Sequence, residues 1–128
     1  MSYKRFEEIP VWQKSRSYNK DIFEITSRHG FNSDFKFRDQ IRGSAGSIMD
    51  NIAEGYERDG NKEFLNFLHY SKGSSGESRS QLYRAFDCNY ISREELEDLY
   101  KKAIEISKEL KSFISYLKNC EMKGIKYK

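Results

Sequence analysis

Residues 92–117 read SREELEDLYKKAIEISKELKSFISYL, and this stretch decides the fold. Leu96, Leu99, Ala103, Ile106, Leu110, Phe113 and Leu117 recur at alternating steps of three and four, the seam of an α-helix sustained over about three heptads. Ser92-Arg93-Glu94-Glu95 opens it as a capping box, because the Ser92 hydroxyl can accept from the Glu95 amide while the Glu95 carboxylate reaches back to the Ser92 amide. The spacing predicts a helix over about 93–119. Such a helix is apolar on one side only and is stable only when that side is covered by neighbours.

Three more segments upstream supply those neighbours. Phe64, Phe67, Leu68, Ser71, Ser75, Ser78, Leu82 and Ala85 form a stripe that predicts a helix over about 62–88, with Asn61 as its cap, Asn89 as a left-handed stop and an unusually small middle. Phe37, Ile41, Ser44, Ala45, Ile48 and Ile52 predict a helix over about 35–58 that Asp59-Gly60 ends. Val11, Ser15, Tyr18, Ile22 and Ile25 predict one over about 10–28, with Pro10 in its first turn and Gly30 after its end. The only proline lies at that first helix start, and no segment alternates at period two for long enough to make a strand. Connections of roughly three to six residues turn each helix back on the last. The expectation is an all-α, antiparallel up-down four-helix bundle, a single domain over 1–128 in which the basic end 118–128 frays.

Composition narrows the function by exclusion. Lys and Arg total 23 against 20 Asp and Glu, and the net charge of +3 comes from the end: Lys118, Lys123, Lys126 and Lys128 stand there against Glu121 alone. The rest is balanced, unlike the strongly basic body of most nucleic-acid-binding domains. The longest run without Asp, Glu, Lys or Arg is Phe64 to Ser71, too short to cross a bilayer, and MSYKRFEEIP lacks the apolar core of a secretory signal. A cytoplasmic address without membrane contact is expected. Cys88 and Cys120 fall about 27 helical residues apart, roughly 40 Å at 1.5 Å per residue, so they cannot pair within one bundle or share a zinc ion.

Catalytic patterns are missing. A di-iron bundle needs Glu-x-x-His on two helices, whereas Asn66 stands three before His69, and His29 ends the first helix. Gly73-Ser74-Ser75-Gly76 has neither the Gly-Lys-Ser/Thr ending of a phosphate loop nor a preceding strand, and no Ser has a His or carboxylate partner at a readable spacing. No metal, no cofactor and no catalytic residue is expected.

Two strips of small residues lie on the wrong side of their helices. Gly43 and Gly46 stand roughly opposite Ile41, Ile48 and Ile52, and Gly73, Gly76 and Ser80 point away from the core stripe of the next helix. A mid-helix Gly costs about 1 kcal/mol relative to Ala, so four of them imply a need for close backbone approach. With nine Tyr, nine Phe and one Trp in the chain, the strips predict contact with another subunit and hence a homo-oligomer. The remaining polar cluster is Asn51-Ile52-Ala53-Glu54-Gly55-Tyr56-Glu57-Arg58 with Gln40 and Arg42 upstream, either a buried hydrogen-bond network that joins this helix to its neighbours and reaches Glu77 across an interface, or a ligand or nucleic-acid site.

The segment QIRGSAGSIMDNIAEGYER, residues 40–58, resembles the hallmark of the four-helix bundle proteins encoded by 23S rRNA intervening sequences. Gln40, Arg42, Ser47, Ile48, Asn51, Ile52, Ala53, Glu54, Gly55 and Arg58 match, Val11-Trp12-Gln13-Lys14 looks like that family's first helix, and Lys72-Gly73-Ser74-Ser75-Gly76-Glu77 resembles its Gly-Ser-x-x-Glu element. The family is similar to the accessory variability determinant proteins of diversity-generating retroelements, pentameric barrels thought to bind nucleic acid and a reverse transcriptase. The resemblance therefore implies a pentamer with RNA or DNA as a partner. It makes Gln40, Asn51, Glu54, Gly55, Arg58 and Glu77 structural, and leaves Arg38, Arg42, Lys72, Arg79 and Arg84 as candidate phosphate contacts. Many relatives carry a second arginine and an alanine after the residue matching Arg42; this chain has Gly43 and Ser44. The expected function is a non-enzymatic oligomeric bundle that binds nucleic acid, and the alternative is a scaffold that docks a polymerase or other protein without touching nucleic acid.

Overall fold

Each apolar period becomes a helix. The computed structural model describes residues 3–124, with α1 at Pro10–Thr26, α2 at Phe35–Glu57, α3 at Asn61–Asp87 and α4 at Arg93–Met122. Single 3-10 turns at Phe6–Glu8 and Phe31–Ser33 precede α1 and α2. The capping box forms as read, with Glu95 N donating to Ser92 Oγ at 3.1 Å and Ser92 N to Glu95 Oε1 at 2.8 Å. Asn89 has a positive φ of 63° and ends the third helix.

The helix ends differ from expectation at three places. α1 stops at Thr26, where the Thr26 hydroxyl donates to Ile22 O and that of Ser27 to Phe23 O, both at 2.7 Å, so hydroxyls close the last turn before Gly30 is reached. Gly30, with φ 94°, opens the Phe31–Ser33 turn instead. Asn61 is the first residue of α3 and buried; Gly60, φ 96°, occupies the position before it, a backbone state that favours glycine. α4 runs on to Met122 with Leu117 and Cys120 buried, so the start of the basic end is helical; Lys126 and Lys128 lie outside the described residues.

Contacts between helices run in opposite senses. Arg28 near the end of α1 grips Glu95 at the start of α4 with two bonds of 2.7 and 3.0 Å, while Lys14 near the start of α1 reaches Glu105 and Glu109 further along α4 at 2.6 and 2.9 Å. Thr26 meets Arg42 and Ser47 meets Ser74. Tyr83 meets Tyr100 near the α3–α4 turn, whereas Phe64 meets Phe113 at the far end. The four helices are therefore an antiparallel up-down bundle.

Its core is apolar at both ends and hydroxylic in the middle. Phe31, Phe37 and Tyr90 stack at one end, and Tyr56, Phe64 and Phe113 meet edge to face at the other. Between them α3 sends Ser71 to Ile48 O of α2 at 2.7 Å, Ser75 to Ala103 O of α4 at 3.2 Å, and Ser78 to the Tyr18 hydroxyl of α1 at 2.6 Å. Small side chains there let α3 touch all three neighbours. Burial pushes the Tyr18 hydroxyl up to about 12, against the opposing pull of its bond to Ser78. In the seam of α4, Ile114 takes the buried place expected of Phe113, which is half-buried against Phe64.

Candidate nucleic-acid interface

The candidate phosphate contacts separate into committed and uncommitted cations. Arg42 is committed: Nε donates to Thr26 Oγ1 at 2.8 Å, Nη2 donates to Ser27 Oγ at 2.9 Å, and the guanidinium lies 4.3 Å from the Phe23 ring. A cation at the end of α1 also suits the helix dipole, so Arg42 fastens α1 to α2. Arg38 donates to Asp39 and to Asn32 O and rests 5.0 Å from the Phe35 ring. Arg84 leaves α3 to lie 4.4 Å over the Phe37 ring of α2. Arg38 and Arg42 stand one turn apart on one edge of α2, while Arg84 reaches α2 from α3, so the three do not form one group.

Lys72 and Arg79 are different. They alternate with Gly76 and Tyr83 at helical spacing along one flank of α3, Lys72-Gly76-Arg79-Tyr83, and Tyr83 touches Tyr100 of α4 with ring centroids 6.0 Å apart. That contact turns the flank toward α4. On α4 the same side continues from Tyr100 through Ile104 to Lys108 and Lys111, with Lys101 beside it, and all three lysines are exposed. Lys72, Arg79, Lys101, Lys108 and Lys111 make no ion pair among the described residues. The opposite flank of α4 has its charges engaged, with Lys102 on Asp21 at 2.8 Å, and Glu105 and Glu109 on Lys14. Those carboxylates raise the Lys14 pKa through their hydrogen bonds.

A groove of about 590 Å³ opens on the α3–α4 face, lined by Tyr83, Tyr100, Arg93 and Lys101, with Glu94, Glu97 and Asp98 as its acids. The α4 lysines escaped sequence reading because their helix is charge-balanced as a string. The missing signal was which of its cations face α1 acids and which face none.

The matched motif is mainly architectural. Gly55 is buried where α2 crosses α3, and a Cβ there would stand 2.6 Å from Phe67 Cβ and 3.1 Å from Phe64 Cδ1. Asn51 Nδ2 donates to Ser47 O at 2.8 Å and to Ser47 Oγ at 2.9 Å, and Ser74 Oγ of α3 donates to Ser47 Oγ at 3.1 Å. Arg58 bonds Glu54 at 2.8 Å, approaches Glu63 at 3.6 Å and covers the Phe67 ring at 5.0 Å; the Glu54 bond raises its pKa. Gln40 and Glu77 are exposed, and within one chain the network stops at Ser74 without reaching Glu77. The strip glycines are unoccupied ground: nothing lies within 4 Å of a Cβ at Gly43 or Gly73, Gly46 would meet only Asn19 Oδ1 at 3.6 Å and Gly76 only Arg79 Nη2 at 3.8 Å, while Ser80 is exposed. Among the described residues no His, Cys, Asp or Glu cluster could hold a metal, Cys88 and Cys120 are free thiols, and no helix is long and apolar enough to cross a membrane.

A comparison with curated proteins finds no match. Among solved structures, a crystal structure of a protein of unknown function from the S23 ribosomal protein family of Bacteroides thetaiotaomicron is similar, at 27% identity and a TM-score of 0.75, over 81% of this chain and 97% of that one. The family model for the 23S rRNA-intervening sequence protein matches residues 7–112, which include the α2 motif, Gly55 and both cationic flanks. The chain belongs to the 23S rRNA-intervening sequence protein family.

Proposed function

We propose that the protein is a non-enzymatic, homo-oligomeric bundle that binds nucleic acid, RNA in the first instance, along the α3–α4 face. The observation that carries this reading is the group of five cations without ion-pair partners among the described residues, Lys72, Arg79, Lys101, Lys108 and Lys111, on a flank that also carries the exposed Tyr83 and the half-buried Tyr100. Cations with no carboxylate to satisfy them hold a phosphate backbone by releasing its counterions, and tyrosines offer stacking surfaces to unpaired bases. Oligomerisation multiplies the contacts, since each added copy brings its own cationic flank to one strand.

The test is fluorescence anisotropy with a labelled stem-loop and a labelled single strand at about 50 and 200 mM salt. Five phosphate contacts per chain predict an affinity loss of about 500-fold for the duplex and about 100-fold for the single strand over that range. The Lys72→Glu/Arg79→Glu protein should lose binding while keeping its mass in solution. No binding at 50 mM salt overturns the reading. Capture of a protein partner with little salt dependence favours the scaffold alternative.

A further inference from the structure

Among the described residues one buried polar side-chain atom takes part in no hydrogen bond, Oε2 of Glu109. The other oxygen, Oε1, accepts from Lys14 Nζ at 2.9 Å, and the same ammonium donates to Glu105 Oε1 at 2.6 Å. One cation therefore serves two carboxylates, and the three groups keep one negative charge unbalanced. One turn back along α1 stands Pro10, which has no donor to add. A carboxylate oxygen closed off from water without a donor is costly, whereas a charge-assisted bond to it is among the stronger kinds.

Glu109 lies at a groove of about 340 Å³ between the start of α1 and the second half of α4. Along α4 the wall is Glu109, Ser112, Phe113 and Tyr116, positions i, i+3, i+4 and i+7 of one helical stripe. The facing wall is the buried Ile9 and Val11 with Pro10 between them, and Tyr3 closes one end. The segment that carries Tyr3 and Ile9 is fastened down: the Tyr56 hydroxyl donates to Tyr3 O, Gln13 Nε2 to Glu7 O at 2.8 Å and Lys4 N to Glu8 Oε1 at 3.0 Å, while Phe6 stands edge-on to Trp12 with ring centroids 5.2 Å apart. The groove is thus formed in advance of any occupant. Its lining holds one charge, the Glu109 carboxylate, on otherwise apolar and hydroxyl-bearing walls.

We propose that this groove binds a small organic amine, its protonated nitrogen on the Glu109 carboxylate and its apolar body between Phe113 and the Ile9–Val11 wall. The last torsion of a glutamate is soft, so the ammonium draws the idle oxygen to itself while Lys14 keeps the other. The walls select a hydrocarbon or aromatic body over a polyamine, whose second charge would meet no carboxylate in the groove. The volume stands at the small end of the range for ligand sites, about 300 to 1,000 Å³, which suits a monoamine with one ring. The site is on the α1 side of α4, opposite the cationic flank, and does not rest on the nucleic-acid reading.

Two-dimensional NMR of the ¹⁵N-labelled full chain at neutral pH tests it, with phenethylamine as the probe and 2-phenylethanol and 3-phenylpropionate as its neutral and anionic counterparts. Phenethylamine should shift the amides of Ile9, Val11, Ser112 and Phe113 with a Kd of about a millimolar or tighter. The alcohol and the acid should bind at least about tenfold more weakly, the factor a hydrogen bond to a charged group supplies. Glu109→Gln should weaken the amine by about the same factor, leave the alcohol unchanged and keep helix content in circular dichroism. Ser112→Trp, an exposed position on the groove wall, should fill the space and abolish the shifts with Glu109 intact. Absence of groove shifts at about 10 mM phenethylamine overturns the proposal. Equal affinity for the three probes, amine binding untouched by Glu109→Gln or by Ser112→Trp, or shifts scattered over other acidic surfaces overturn it as well.

Discussion

Gly55→Ala should destabilise the protein, although alanine is the better helix former. The added methyl carbon would sit 2.6 Å from Phe67 Cβ, 3.1 Å from Phe64 Cδ1 and 3.4 Å from the Phe64 carbonyl oxygen, whereas ordinary contacts begin at 3.4 Å. Phe67 Cβ is anchored to the backbone of α3 and cannot rotate aside, so α2 and α3 must separate by about 0.8 Å at this level. One to two turns further along, the same helix pair is held by the Ser71 Oγ bond to Ile48 O at 2.7 Å and the Ser74–Ser47 bond at 3.1 Å, which the movement stretches. Overpacking of this kind costs about 1 to 3 kcal/mol, and each weakened hydrogen bond about 1 kcal/mol. Alanine returns about 1 kcal/mol of helix propensity. The net expectation is a loss of about 2 kcal/mol, or roughly 8 °C in Tm for a chain of 128 residues. Thermal and urea unfolding followed by circular dichroism at 222 nm measure it. A Tm unchanged or raised would refute the close approach of α2 to α3 at Gly55 and the structural role assigned to that part of the motif.

Two further outcomes follow from the hydrogen bonds and charges. Arg42→Ala should cost about 2 kcal/mol in urea unfolding, since it removes the donors to Thr26 and Ser27 from the end of α1, and Arg42→Lys should not restore it because one ammonium cannot span both hydroxyls. The same change should leave nucleic-acid affinity within twofold in anisotropy, and a loss as large as that of the Lys72 and Arg79 variants would return Arg42 to the phosphate contacts. For pH, the Arg28 guanidinium bonded to Glu95 holds its carboxyl below the ordinary value of 4.5, aided by the Ser92 amide. A carboxylate depressed in the folded state contributes stability above its unfolded pKa and loses it as pH falls through the folded one. Wild-type Tm should therefore drop below about pH 4.5 more steeply than that of Glu95→Gln, as calorimetry between pH 7 and 3 would show; equal slopes would remove Glu95 from the acid response.

How far the site can be read from the chain alone differs residue by residue. Lys72 and Arg79 share a flank by spacing alone, and that survives folding. Their α4 companions do not show in the string, because Lys101, Lys102, Lys108 and Lys111 look alike there; folding sets Asp21 of α1 at 2.8 Å from Lys102, which also pairs with Asp98 of its own helix, while the other three form no ion pair among the described residues. Arg42 stands in a matched motif and reads as a free cation until Thr26 and Ser27 are seen within 2.9 Å. Glycine is similar. The expectation of close approach at Gly43, Gly46, Gly73 and Gly76 finds open space within one chain, while the glycine that one chain does need is Gly55.

What the sequence by itself determined is everything that acts within a turn or two of helix. The apolar period, the Ser92–Glu95 box, the left-handed Asn89 and the absence of proline after Pro10 are local, so four helices and their core stripes follow from neighbours three and four positions apart. What only the tertiary structure decided is which residues from different helices meet: Gly55 with Phe67, Ser78 with Tyr18, Arg42 with Thr26, and an α3–α4 flank whose cations have no ion pair among the described residues beside an α1–α4 one that carries several. Those meetings depend on the rotation and axial shift of each helix against the next. Both are set by the packing of all four stripes at once, and no single stripe carries them.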